Sequence, residues 1–395
     1  MYDFLIIGGG AFGLSTAISL AKKRYKVGLL NPDSIPHHLA ASTDISKIVR
    51  MEYGTDEGYF KMAEICIERW HEWNDLFDER VYHEVGCLML SKAPFDHSNS
   101  RFEKASYDQL TQNGYPSQRL NNGQLSQRFP VFNETIYANA SFNPRAGFVE
   151  SSLAIEKMAT YARQLGVHTH EGQTAIELVI KNNTVQSVKT LEGQQFTAGT
   201  VVVAAGAHTP YLIPDLEPYL RATGHPVFWL KPTNPLQFRA DKLPVFFADI
   251  ANSGWYGFPL SAKKGVVKIA RHADGLVLHP DKDDRQVQAD EMAEMRRFLS
   301  ESMPTLADAP LVYTRRCLYT DTLDGHFWID YHPTVRGLAV SSGGSGHGMK
   351  MAPILGEITT DMLEGVSNPF LERFRWRHLE AGTLGGEEAR AKKRK

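Results

Sequence analysis

Residues 1–31 read MYDFLIIGGGAFGLSTAISLAKKRYKVGLLN, and this stretch decides the fold class. Tyr2–Ile7 is an apolar run of strand length that stops at glycine. Leu14–Lys23 carries small and apolar residues in helical order and closes on basic ones, which suit a helix C-terminus. Tyr25–Leu30 reads as the next strand. Strand, glycine turn, helix and strand in succession make a βαβ unit. Inside it, Gly8-Gly9-Gly10-Ala11-Phe12-Gly13 satisfies G-x-G-x-x-G. Gly8 makes the tight turn, Gly10 lets backbone approach a pyrophosphate, and Gly13 lets the helix pack on the strand. The amides that open the helix then face the phosphates. Because the motif lies between a strand and a helix, it predicts dinucleotide binding. The acid usual at the end of the second strand is absent. Asn31 stands there, followed by Pro32 and Asp33, so either Asn31 or Asp33 is left to meet the ribose, and NAD becomes a poorer fit.

The rest of the chain sets bounds around this unit. Its 395 residues predict two to three domains. A formal net charge of −2 offers no basic footprint for nucleic acid and no patch for a membrane surface. No run reaches the ~18 consecutive apolar residues that a membrane span needs. Three cysteines in a chain of this length cannot form a disulfide framework. Asp3 sits where a secretory leader would carry positive charge, so the N-terminus reads as a strand and the cytoplasm is the expected location. Residues 386–395 are charged and read as a flexible tail, with Lys392–Lys395 a solvated charge run.

Working outward, helices are predicted over Asp56–Phe77, Ser152–Leu165, Asp290–Ser302 and Met349–Leu363. Strands are predicted at Val85–Leu90, Gln173–Ile180, Thr184–Leu191, Thr200–Ala205 and Gly337–Ser341. The α/β pattern occupies 1–80, 148–216 and 320–385, and strand-rich material fills 81–147 and 217–319. The fold class is therefore α/β (α+β overall). A discontinuous Rossmann-like nucleotide-binding domain is expected, interleaved with a mostly antiparallel substrate domain.

Further stretches carry chemistry. Val201–Ala207 is a buried-strand pattern ending in small residues, including Ala205 and Gly206. Cys317 follows Arg315 and Arg316, a setting that favours a thiolate, whereas Cys66 and Cys87 read as small core hydrophobes. Gly343–Gly348 precedes a helix and offers backbone amides to an anion or an electron-rich ring edge. His168 and His170 lie two apart on one strand, but with no third ligand in view they read as a solvated face, and no metal is expected.

Together with Ser42–Arg50 (STDISKIVR), Trp255–Pro259, Val266–His272 and Cys317–Pro333, these segments resemble the sarcosine oxidase branch of the FAD-dependent D-amino-acid-oxidase superfamily. The resemblance implies FAD, joined covalently through its 8α carbon to Cys317. It also implies oxidation of the C–N bond of a secondary amino acid to an imine, with O2 reduced to H2O2. By the same resemblance, the substrate carboxylate falls to Arg50 and Lys350, flavin reoxidation to Lys268, and the active-site histidine and aromatic to His272 and Tyr319. Lys47 stands where simple sarcosine oxidases carry an arginine beside the flavin. Cofactor contacts are expected at Gly8, Gly10, Ala11, Phe12, Gly13, Asn31, Ser42, Thr43, Lys47, Ala175, Ala205, Gly206, Cys317, Gly344, Gly346, His347, Gly348 and Lys350.

The Ser42–Arg50 stretch is more similar to the saccharopine, pipecolate and fructosyl-amine oxidases. His272 points the other way, since fructosyl-amine oxidases of this family place a glutamate there. Those substrates, and a dehydrogenase that passes electrons to a partner, are the alternatives. The implied partners are a small amino acid and O2, and the implied state is a monomer. The residues suit this chemistry on their own terms. A carboxylate calls for a guanidinium or ammonium clamp, an aromatic pocket favours the neutral amine, and a lysine stabilises the charge that develops on oxygen.

Overall fold

The computed structural model describes residues 1–380 and 388–391. β1 (Tyr2–Ile7), α1 (Ala11–Lys22) and β2 (Val27–Asn31) form the expected opening unit. The two strands pair in parallel, Leu5 opposite Gly28 and Ile7 opposite Leu30. They are central to a six-stranded sheet ordered Phe327–Tyr331, Leu338–Gly343, Ala198–Val203, β1, β2, His168–Glu171. Within it only Phe327–Tyr331 runs antiparallel to its neighbour.

Both faces of this sheet are covered, which is why its strands read as unbroken apolar runs. Ile6, Leu29, Val202 and Ala339 face one core, shared with α1 and the helices Glu57–Leu76 (α2), Ser151–Gln164 and Ala352–Glu364. Leu5, Leu30, Val201 and Val340 face the other, under the antiparallel hairpin Ala175–Lys181 and Thr184–Thr190. α1 and Ala352–Glu364 touch backbone to backbone. A Cβ on Gly356 would lie 2.0 Å from the Ser15 carbonyl oxygen, and the Ser15 hydroxyl accepts from Gly356 N at 2.7 Å. Pro353 starts the Ala352–Glu364 helix cleanly, so the predicted span from Met349 begins with a 3₁₀ turn instead.

The second sheet has nine strands and is mostly antiparallel. Its longest elements, Leu220–Leu230 and Leu311–Thr322, lie side by side with His225 opposite Cys317 and Thr223 opposite Tyr319. Val267–Arg271 and Trp255–Gly257 continue the sheet beyond Leu220–Leu230. A short strand, β3 (Lys47–Val49), pairs with Gly147–Val149 and carries the Ser42–Arg50 segment between the two sheets. The stretch 81–147 is less purely stranded than expected, because Arg101–Gln112 and Asn122–Arg128 are helices.

Two expectations need correction. The described part of the expected tail, 388–391, is packed. Ala389 is wholly buried among Ile48, Met89, Phe247 and Phe258, and Arg390 contacts Asp321 at 2.7 Å. Charge alone suggested fraying, but these charges find partners: Glu388 accepts from the Thr55 hydroxyl at 2.6 Å. Lys392–Lys395 lies outside the described residues. His168 and His170 are not simply solvated either, since both rings meet the Tyr2 hydroxyl, at 3.2 and 2.7 Å. Among the described residues no helix is long and apolar enough to cross a membrane.

Candidate active site

A cavity of about 730 Å³ opens along the C-terminal ends of β1 and β2, at the glycine turn. That volume lies within the range of cofactor pockets. The turn has the geometry its sequence calls for. Gly8 takes φ +112°, where a Cβ would lie 2.5 Å from the Ala204 carbonyl oxygen, and a Cβ on Gly13 would lie 1.8 Å from that of Gly8. Gly10 caps α1 with no side chain bonded to the helix amides, so the positive end of the helix is left to the cavity. These features form a cradle that any side chain would fill. The residues present fit the FAD that the sequence resemblance implies: glycines that leave room for a pyrophosphate and a helix end open to its charge.

The expected cofactor residues Gly8, Gly10, Ala11, Phe12, Asn31, Ser42, Lys47, Ala175, Ala205, Gly206, Gly346 and Gly348 line this cavity, with Tyr319. Others shape it from behind. Gly13 backs the turn. A Cβ on Gly344 would lie 2.1 Å from the Phe327 ring, and Thr43 holds Arg315 through its carbonyl. His347 stacks on Phe327 and meets the Tyr53 hydroxyl at 3.1 Å, so it braces the loop. The amide of Asn31 is used internally: it accepts from Gly9 N at 2.9 Å and donates to the Asp33 carbonyl at 2.7 Å. The Asp33 carboxylate turns outward to Ser34 N.

At the far end of the cavity, the loop from Gly343 to Gly346 keeps φ positive at four successive residues, Ser345 included. Contrary to the expectation that this segment offers its amides to a ligand, three are used internally: Gly344 N donates to the His326 carbonyl at 3.3 Å, Ser345 N to that of Thr320 at 3.1 Å and His347 N to that of Gly344 at 3.0 Å. Cys317 sits beside it, buried, with Sγ 3.7 Å from Lys47 Nζ and 3.8 Å from the Ala41 carbonyl oxygen. The cation at this sulfur is therefore Lys47. Arg316, expected to serve, pairs instead with Glu291, and Arg315 bonds the His38 and Thr43 carbonyls.

Lys268 is completely buried. Its Nζ lies 2.6 Å from Asp44 Oδ2 and donates to the Ser46 carbonyl at 2.6 Å. Lys47 Nζ is 3.6 Å from the same Asp44 oxygen. Burial opposes the charge on Asp44, but the two ammonium groups outweigh it and hold the carboxyl at about 2. Burial pulls Lys268 down, Asp44 restores part, and the result is about 8. Burial also opposes the charge on Lys47, yet Cys317 and Asp44 keep it above its ordinary value.

Arg50 and Lys350 gather at the ring of Tyr53, 4.8 and 5.0 Å from its centre, and Arg50 also lies 4.9 Å from the Phe247 ring. Both cations are buried, and Trp70 anchors Lys350 by donating to its carbonyl at 3.0 Å. A second group of buried rings lies on the long strands, with Arg390 and Asp321 paired beside it. His225 stacks on Tyr319 at 3.9 Å, and His272 lies 6.2 Å from the same ring. Burial, then the nearby Arg390, holds His225 well below the usual imidazole value, and burial raises the phenols of Tyr256 and Tyr319. Sequence reading did not find Asp44, Tyr53, His225 or Arg390. Only Asp44 had a signal, three residues before Lys47.

The arrangement is a cleft lined by Lys47 and Tyr319, with Cys317 against Lys47, Lys268 joined to it through Asp44, and Arg50 and Lys350 as a separate pair of buried cations outside the lining. Residues 3–362 match the model of a family described as FAD dependent oxidoreductase. The chain is 29% identical to L-saccharopine oxidase of Schizosaccharomyces pombe, over 94% of this chain and 92% of that protein. It is 27% identical to monomeric sarcosine oxidase of a Bacillus species, over 91% and 92%. The solved structure of a fructosamine oxidase from Aspergillus fumigatus (Amadoriase II) superposes with a TM-score of 0.82 at 24% identity. The match covers 99% of this chain and 95% of that one, and the likeness is one of fold.

Proposed function

The chain belongs to the FAD-dependent oxidoreductase family, and from that premise we propose that it is an oxidase of secondary amino acids. On this reading it converts the C–N bond to an imine and reduces O2 to H2O2. The observation that carries this reading is the pairing of Arg50 with Lys350 about Tyr53, together with a cleft lined by Lys47, which contacts Cys317 and shares Asp44 with Lys268. The named relatives support it, since they are oxidases of sarcosine and saccharopine, both secondary amino acids.

Bound FAD supplies a two-electron acceptor for the amine and a donor for oxygen; the protein supplies position and charge. Arg50 and Lys350 grip the substrate carboxylate, and their positive charge lowers the proton affinity of the adjacent amine. Tyr256 and Tyr319 remain neutral phenols, and His225 a neutral imidazole, so these groups favour the uncharged amine that oxidation requires. Lys268 places an ammonium where oxygen gains negative charge. Segments 1–80, 148–216 and 320–385 hold the cofactor on this reading, and 81–147 with 217–319 supply the substrate side. A single chain carries every group required.

Anaerobic addition of sarcosine, pipecolate, proline, saccharopine or a fructosyl amino acid is expected to bleach the yellow holoenzyme in at least one case. Air should then restore the colour with one peroxide per turnover. Failure of every secondary amino acid to bleach it would overturn the reading. A second outcome concerns the sulfur. FAD should remain with acid-precipitated wild-type protein and leave precipitated Cys317→Ser; flavin retained by the variant removes Cys317 as the attachment site.

A further inference from the structure

One group beside the cleft has no part in the reaction as derived. Asp44 is buried, and its surroundings fix both carboxylate oxygens. Oδ1 accepts from Ile45 N at 2.7 Å, and Oδ2 lies 2.6 Å from Lys268 Nζ and 3.6 Å from Lys47 Nζ. The residue itself is pinned, since its carbonyl accepts from Ser152 N at 3.0 Å and from the Ser151 hydroxyl at 2.9 Å. A loop carboxylate is thus fixed against a lysine 224 positions away in sequence, on the strand Val267–Arg271.

We propose that Asp44 is a positioning residue for the oxygen-reacting half of the cycle, clamping the Lys268 ammonium in place and keeping it cationic beside Lys47. This inference rests on the oxidase reading above. Its physical basis is the balance of charge in a dry site. Two ammonium groups that share one buried pocket repel each other and lack water, so one gives up its proton unless an anion lies between them. The groups facing Lys268 are Asp44 and the Ser46 carbonyl from the loop, Lys47 from β3, Cys317 from Leu311–Thr322, and the ring of Phe258 at 4.6 Å. Asp44 also feels Arg315, and Lys47 feels Tyr256. Asp44 is the carboxylate at the centre of this set. Burial and Lys47 draw Lys268 down to about 8 with Asp44 present, and removing Asp44 takes away the largest upward influence and leaves only the smaller one of Cys317 against them.

A buried ion pair could instead serve only to join loop and strand, so the test must read protonation as well as activity. The holoenzyme is reduced with substrate, and its reoxidation by O2 is followed across pH in the wild type and in Asp44→Asn. The wild-type rate should fall through an inflection near about 8. In the variant the inflection should move down by about two pH units, so that reoxidation near neutral pH slows about tenfold. Asp44→Glu should restore most of it.

The second readout does not depend on turnover. Lysine labelled with ¹³C at Cε, with the Lys268 signal assigned by its loss in Lys268→Met, reports the same inflection directly. Lys47→Met, which removes the repelling ammonium, should move that inflection upward and keeps the test open if Asp44→Asn does not fold. Coincident profiles for the wild type and Asp44→Asn would overturn the proposal, as would an unmoved Lys268 signal. A wild type that air does not reoxidise defeats the oxidase reading instead, and the lysine signal still decides the role of Asp44.

Discussion

Lys268→Met is expected to slow reoxidation of the reduced holoenzyme by O2 by about 10²- to 10³-fold, the usual loss when one preorganised electrostatic donor is removed. Reduction by substrate should change far less. Methionine is close to lysine in length and fills the same fully buried space, so the change removes charge with little change in volume. The ammonium sits on the strand Val267–Arg271, held by Asp44 and the Ser46 carbonyl, and does not reorganise when oxygen becomes anionic. Stopped-flow spectroscopy separates the two half-reactions. Equal slowing of both would remove the proposed role. The substitution also strips Asp44 of its nearest cation, and breaking a buried pair costs about 3–5 kcal/mol. Lys47, 3.6 Å away, offsets part of that, so the variant should fold with a lower Tm.

Linkage gives the sign at the acid end. The Asp44 carboxyl is depressed to about 2 in the folded chain, so its contribution to stability is fully present above its ordinary value of 3.8. It is lost as pH falls through about 2. Lys268 gives a slope of the same sign: its folded value is lowered to about 8, so its buried charge costs stability at neutral pH and stability rises with pH between 8 and its ordinary 10.5.

The second large effect is expected for Arg50→Ala. Truncating one partner of a buried charged contact costs about 2–5 kcal/mol, which corresponds to a loss in kcat/KM on the order of 10² or more. Simple carboxylates that compete with substrate should weaken by a similar factor, while amines lacking a carboxylate should be affected little. Arg50→Lys should not restore the loss, because the guanidinium lies over Tyr53 and Phe247 as a flat plate and an ammonium cannot. Unchanged inhibition by carboxylates would exclude Arg50 from the clamp.

What could be read in advance follows from how local each feature is. The opening unit was legible because strand, turn and helix each carry their own signal within a few residues, and β1 matches its predicted limits of Tyr2–Ile7. Arg101–Gln112 was hidden because its buried face includes Glu103, Ser106 and Gln109, which carry no apolar periodicity. The long strand Leu220–Leu230 was obscured by Gly224 and Pro226, residues that usually punctuate strands. Around the cleft, the glycine turn and Cys317 could be identified by type. Their neighbours could not, because the contact between Lys47 and Cys317 and that between Asp44 and Lys268 span most of the chain. Arg316 shows the limit of sequence adjacency. It neighbours Cys317 in the chain, yet successive side chains on a strand face opposite ways, and it pairs with Glu291.

The packing of residues 388–391 bears on how the protein is handled at the bench. Ala391 N donates to the His272 carbonyl at 3.1 Å, and Arg390 reaches His225 at 3.1 Å. A purification tag or reporter fused downstream of them would therefore pull on the contacts of Ala391 with His272 and of Arg390 with His225. Met1 is 82% exposed, so that end is the better anchor for immobilisation or labelling.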